Sequence, residues 1–200
     1  HYGPAPEDSI AAKAAEAGVS PQEFCYDLMM QDNGKTVVYF PCFGYGANDL
    51  SRQVELLEDS STVISLADTG AHCGVLCDAS IPTQMLSYYV RDRERGHRLK
   101  LEDVVKMQTF DTARCVGLED RGTLEVGMKA DLNLIDFETL QLESPQIIYD
   151  LPAGGRRMFQ GANGYIATIV NGEVIMENGK HTGAVPGALI RGAQPAPKAA

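Results

Sequence analysis

Tryptophan is absent, and only 7% of the residues are aromatic. No apolar run comes near the roughly 20 residues that a membrane-spanning helix needs, so no membrane partner is expected. Positive charge is scarce as well, with 17 Lys+Arg against 27 Asp+Glu and a formal net charge of -10. Such a field repels phosphate backbones and anionic lipid surfaces, which argues against nucleic acid as a partner. The opening residues, HYGPAPEDSI, lack the basic and then apolar pattern of a secretory signal. No C-x-x-C pair occurs among the five cysteines, Cys25, Cys42, Cys73, Cys77 and Cys115. Odd in number and scattered, they suit reduced thiols better than a disulfide framework, and a soluble, cytoplasmic protein is the expectation. What is present is 200 residues, 44% hydrophobic and 22% charged, enough for one sizeable core and a small second unit.

The order of elements is legible from caps and periodicity. Asp8 or Ser9 caps a short Ala-rich helix that Gly18 ends, and Ser20-Pro21-Gln22-Glu23 is a capping box with proline at the first helical position, opening a second helix to about Met30. Asp32-Asn33-Gly34 is turn chemistry. Thr36 to Phe40 is β-branched and aromatic and reads as a buried strand, and so does Thr62 to Ala67. Between them Asn48 or Asp49 caps a helix to about Glu58, with Leu50, Val54 and Leu57 on one side. Helix, strand, helix, strand with near-continuous apolar strands predicts a parallel sheet covered by helices. Thr83 to about Arg95 reads as a helix ended by Gly96, and Leu101–Met107 and Thr112–Val116 as two short ones. From Arg121 the pattern turns to antiparallel β, with a tight hairpin at Asn171-Gly172.

The chemical candidates cluster after the second predicted strand, in DTGAHCGVLCDAS. Asp68 stands at the carboxyl end of that strand, where βα loops build active sites; the alternative is that its carboxylate caps a turn or the next helix. Gly70 permits close backbone approach to a ligand. His72 has the chemistry to hydrogen-bond substrate or bind metal, against the plainer role of a structural loop histidine. His72, Cys73, Cys77 and Asp78 carry suitable atoms for zinc, but their spacing is no recognised ligand pattern, and Cys73 and Cys77 read better as packed thiols. GANG and PAGG lack the strand, helix and lysine of a phosphate loop and read as turns. Arg156, beside Arg157 and after Gly154-Gly155, suits a substrate carboxylate; the alternative is a solvated basic loop.

Two stretches carry a family resemblance. ARCVGLEDRGTLEVGMKADLNLID, Ala113 to Asp136, resembles the return from the barrel into the small β-sandwich of the amidohydrolase superfamily, and the aspartate of SLAD resembles that superfamily's eighth-strand aspartate. More narrowly, DTGAHCGVLCDAS, DLPAGGRRMFQGANGY and VNGEVIMENGKHTGAVPGALIRG resemble the N-acyl-D-amino-acid deacylases, the D-aminoacylase branch. The likeness runs from about Pro21 to Gly192.

The resemblance implies the carboxyl-terminal portion of a (β/α)8 TIM-type metal-dependent hydrolase barrel followed by part of a composite β-sandwich, an α/β plus β chain. Its units would be residues 1–118 from the barrel, 119–192 from the sandwich and 193–200 as a flexible tail. It further implies zinc as cofactor and a zinc-bound water that attacks the amide of a small N-acyl amino acid. Asp68 would carry the proton from water to the leaving amine and touch the metal. The family's His-x-His pair has no counterpart here. A whole barrel takes about 250 residues, so two strand-helix units are a fraction of one and the chain alone is expected to be inactive. Exposed strand edges then invite self-association into a homo-oligomer. A cyclic amidase of the hydantoinase kind, or a non-catalytic sandwich or assembly module, are the alternatives.

Overall fold

The computed structural model describes residues 2–41, 44–65 and 72–197. Local chemistry accounts for the first helices. α1 (Ile10–Ala17) begins where Ser9 Oγ accepts the amide of Ala12 at 3.2 Å and stops at Gly18, left-handed at φ 69°. α2 (Pro21–Met30) begins in the same way, with Ser20 Oγ accepting the amide of Glu23 at 3.2 Å. α3 (Ser51–Glu58) starts behind Asp49, whose carboxylate takes the Ser51 amide at 2.9 Å and the Ser51 hydroxyl at 3.0 Å. Those two bonds hold the Asp49 carboxyl below its ordinary range.

The expected parallel strands do not form among the described residues. Residues 36–41 and 62–65 carry no ladder, and residues 66–67 lie outside the description. A β-favouring run becomes a strand only when a neighbour supplies alternating donors and acceptors, and no described segment pairs with either run. Phe40 is accordingly 78% exposed rather than buried. Among the described residues the fold is mixed helix and sheet, with the paired strands all in the second half.

α4 (Ile81–Gln84) continues without a break into wider π-helical turns over Met85–Asp92, closing on an amide of Arg93 to the carbonyl of Tyr88 at 2.9 Å. It ends before Gly96, because Arg93 already has an extended backbone at ψ 123°. Met85 to Tyr89 are all buried there, and with Leu50 just before α3, Val54 within it, Leu99 and Val104 they form the core. Arg93 is also sunk in it, 1% exposed, donating Nη2 to Ser51 Oγ at 3.1 Å with its guanidinium 5.9 Å from the Tyr89 ring centre. The two short helices expected downstream are one helical course, α5 (Leu101–Lys106), π-helical turns over Met107–Asp111, and α6 (Thr112–Cys115).

The strands are β1 (Leu132–Ile135), β2 (Gln141–Leu142), β3 (Gln146–Leu151), β4 (Gly155–Phe159), β5 (Ala162–Asn163), β6 (Tyr165–Val170), β7 (Glu173–Glu177) and β8 (Lys180–His181). They pair antiparallel as β1-β6-β7-β8, β2-β5 and β3-β4. Asn171 and Gly172 take φ of 50° and 81°, the backbone that a two-residue hairpin demands. PAGG is a turn, Pro152–Gly154 joining β3 to β4. Residue 194, expected in a loose tail, is held: the Gln194 amide donates to the Gly117 carbonyl at 2.8 Å, and its carbonyl accepts the Glu119 amide at 2.8 Å.

One side chain joins the helical half to the strands. Arg91 donates to the carbonyls of Leu140 at 2.6 Å, of Glu138 at 3.2 Å and of Phe137, over whose ring it also stacks at 5.5 Å. Leu140 is fully buried against the core helices. Thr83 Oγ1 and the hydroxyl of Tyr165, 2.8 Å apart, add a second tie from α4 to β6.

Candidate functional site

Asp68 and Gly70, the first two residues singled out by the sequence, lie outside the described residues. The description resumes at His72, immediately downstream. Its backbone is left-handed, φ 55°, and its carbonyl accepts the amides of Val75 at 2.9 Å and Leu76 at 3.1 Å, so residues 72–75 make a tight turn. A positive φ is uncommon for a side-chain-bearing residue, though less so for histidine than for a β-branched one. The imidazole is exposed, free of the burial that a purely structural histidine shows.

This turn is latched to the strands. The carbonyl of Cys73 accepts the amide of Met158 in β4 at 2.6 Å. The structure therefore brings the His72 turn against the strand that carries Arg156. No local pattern announces a main-chain bond between such distant parts of the chain, and sequence reasoning had no signal for it. Cys73 was expected to pack; it is exposed, and Cys77 is half-buried. Burial, followed by the charge of Asp78, pushes the Cys77 thiol above its ordinary range.

The two arginines of β4 differ. Arg157 holds Asp150 with a two-pronged grip, Nε to Oδ1 and Nη2 to Oδ2, each 2.8 Å, and lies 5.2 Å from the centre of the Phe159 ring. That grip lowers the Asp150 carboxyl and raises the guanidinium of Arg157. Arg156 is exposed and, among the described residues, makes no hydrogen bond or ion pair. It stands where the β3-β4 ladder slips, since Arg157 pairs with Ile148 and Gly155 with Leu151. Tyr149 and Asp150 thus oppose Arg156 together, a bulge of the kind that re-aims side chains.

Metal chemistry asks for three or more clustered donors. Among the described residues no three His, Cys, Asp or Glu side chains gather closely enough to hold an ion. His97 is turned to Glu58 at 3.0 Å, and His181 Nδ1 accepts the amide of Gly183 at 3.0 Å. The described donors do not fit a zinc cage.

The profile of the amidohydrolase family matches residues 8–176. The chain belongs to the amidohydrolase family. Among curated relatives, 5'-deoxyadenosine deaminase of Methanobrevibacter smithii is 37% identical over 87 residues, covering 42% of this chain and 19% of that protein. The 5-methylthioadenosine/S-adenosylhomocysteine deaminase of Pelotomaculum thermopropionicum is 31% identical over 134 residues, covering 62% of this chain and 30% of that protein. The chain spans less than a third of the length of either. No solved structure matches. Both of these amidohydrolase relatives bear deaminase names, so the narrower likeness to D-aminoacylases has no support from them. Among the described residues no helix is long and apolar enough to cross a membrane.

Proposed function

We propose that this chain is the carboxyl-terminal part of a longer hydrolase of carbon-nitrogen bonds, and that the complete enzyme removes the acyl group from N-acyl-D-amino acids. Membership of the amidohydrolase family over residues 8–176 carries the first half of this reading. The segments 68–80, 150–165 and 170–192, which resemble the D-aminoacylase branch, carry the second. In this reading Asp68 takes the proton of the attacking water and returns it to the leaving amine, while His72 and Gly70 meet the substrate. The family's metal dependence supports an activating metal ion, and zinc is the ion this reading assigns to the complete enzyme.

The curated relatives favour a second reading. Both are named as deaminases of adenosine derivatives. Amide hydrolysis and deamination share their chemistry, in that water adds to a trigonal carbon and nitrogen leaves. They differ in product. Incubating the complete protein with an N-acetyl-D-amino acid and, separately, with 5'-deoxyadenosine separates them: acetate and a free amino acid mark the first reading, ammonia the second. In either case Asp68→Asn is expected to reduce turnover by about 10²-fold or more, as loss of a proton carrier does. A change of less than about threefold would leave Asp68 as a turn cap and favour a non-catalytic module.

A further inference from the structure

The paired arginines of β4 do different work. Asp150 is consumed by Arg157, through both carboxylate oxygens and in the plane of the guanidinium. Adjacent residues of a strand face opposite ways, which agrees with Arg157 and Phe159 meeting on one side at 5.2 Å. Arg156 is left out of that pairing. The chain does not lack carboxylates, having 27 Asp+Glu against 17 Lys+Arg, yet none of the described ones bonds to it.

Its backbone is nevertheless held at two points. The ladder to β3 fixes it on one side, and the Met158 amide bonded to the Cys73 carbonyl fixes it two residues further on. Two residues of extended chain span roughly 7 Å, so the Arg156 backbone stands within a long side chain's reach of the turn that carries His72. Opposite it, at the bulge, is Tyr149, an aromatic residue 70% exposed. Arg156, Tyr149 opposite it and His72 in the turn bonded to the same strand supply a guanidinium, an exposed aromatic ring and an exposed imidazole, the side-chain types of a subsite for a small anion attached to an apolar group. Guanidinium favours carboxylate there, because two parallel N-H donors match its two oxygens.

We infer that Arg156 binds the free carboxylate of the substrate, with Arg157 serving only to stiffen the hairpin. The inference rests on the deacylase reading, since an N-acyl amino acid keeps its α-carboxylate whereas 5'-deoxyadenosine has none. The test uses the complete protein with N-acetyl-D-leucine and with its methyl ester. Arg156→Gln raises KM for the acid about 10- to 100-fold, the range for losing a charge-assisted hydrogen bond, and leaves KM for the ester unchanged. Arg156→Lys keeps the charge but not the fork and restores part of the loss. The ester rate also reports whether the variant folds. Equal responses of acid and ester in Arg156→Gln overturn the assignment of Arg156 while the deacylase reading stands. A protein that cleaves neither compound but releases ammonia from 5'-deoxyadenosine overturns both.

Discussion

Replacing Arg91 by Met tests whether one side chain joins the helices to the strands. Methionine preserves much of the apolar stem and removes every donor. Three carbonyls lose a partner, of Leu140 at 2.6 Å, of Glu138 at 3.2 Å and of Phe137. They do not lose equally. Glu138 is exposed and Phe137 half-buried, so water can replace the guanidinium at both, whereas Leu140 is fully buried. A hydrogen bond to a charged group contributes roughly 1.5–3 kcal/mol and a neutral, resolvated one much less. The Arg91 side chain is 23% exposed, which places the Leu140 bond toward the lower end of that range. Adding a few tenths for each other carbonyl, for the stacking on Phe137 and for the half-exposed ion pair with Asp92 gives a loss of about 3 kcal/mol. For a chain of this size that corresponds to a fall in Tm of roughly 6–12 °C. Urea unfolding followed by circular dichroism reads it as a lower midpoint at unchanged slope. Arg91→Lys, with one compact donor group instead of a fork, should fall between the two. An Arg91→Met midpoint equivalent to less than about 0.5 kcal/mol would show that burial of Leu140 holds the halves together without the clamp.

A methyl group added at Gly164 would lie 2.6 Å from the Cα of Leu140 and 2.8 Å from its nitrogen, at φ 95°, so Gly164→Ala should cost more than about 3 kcal/mol. Gly179→Ala, at φ 76° with nothing within 4 Å, should cost only about 1–2 kcal/mol, and equal urea midpoints for the two would refute the close approach. The Asp150 carboxyl is held low chiefly by its bond to Arg157, so the stabilisation from this pair is present above the ordinary carboxylate range and is lost as pH falls through the depressed value. Carbon-detected NMR titration should show that value rising in Arg157→Gln, and an unmoved titration would contradict the grip. Iodoacetamide should alkylate the exposed Cys73 well before Cys77, whose thiol is half-buried and pushed up by burial; peptide mapping that finds Cys77 modified first would reverse the assignment.

Features set by bonds within three residues were legible in the sequence. Ser9 and Ser20 cap α1 and α2 as their spacing requires, and Asn171-Gly172 turns β6 into β7. The same dipeptide recurs at Asn178-Gly179, φ 48° and 76°, where it turns β7 into β8 by the same local rule. Features that need a distant partner were not legible. Residues 36–40 have the composition of a strand, but composition supplies no neighbour, and the ladder is absent among the described residues. Arg93 has the composition of a surface residue and lies 1% exposed in the core. The latch between Cys73 and Met158 uses only main-chain atoms, which every sequence has, so no residue pattern can mark it.

That latch ties the turn that carries His72 to the strand-rich half. A turn is held in place only when something fixes its backbone, because each unfixed residue retains backbone freedom of about 1–2 kcal/mol. For the turn of residues 72–75 the anchor is β4, itself stiffened by the Asp150-Arg157 grip and by pairing with β3. The hairpin therefore does two things at once, holding the turn of residues 72–75 and carrying Arg156 two residues from the bond that holds it. A hairpin that only covered a core would need neither the bulge opposite Arg156 nor an unpaired guanidinium in a chain of net charge -10.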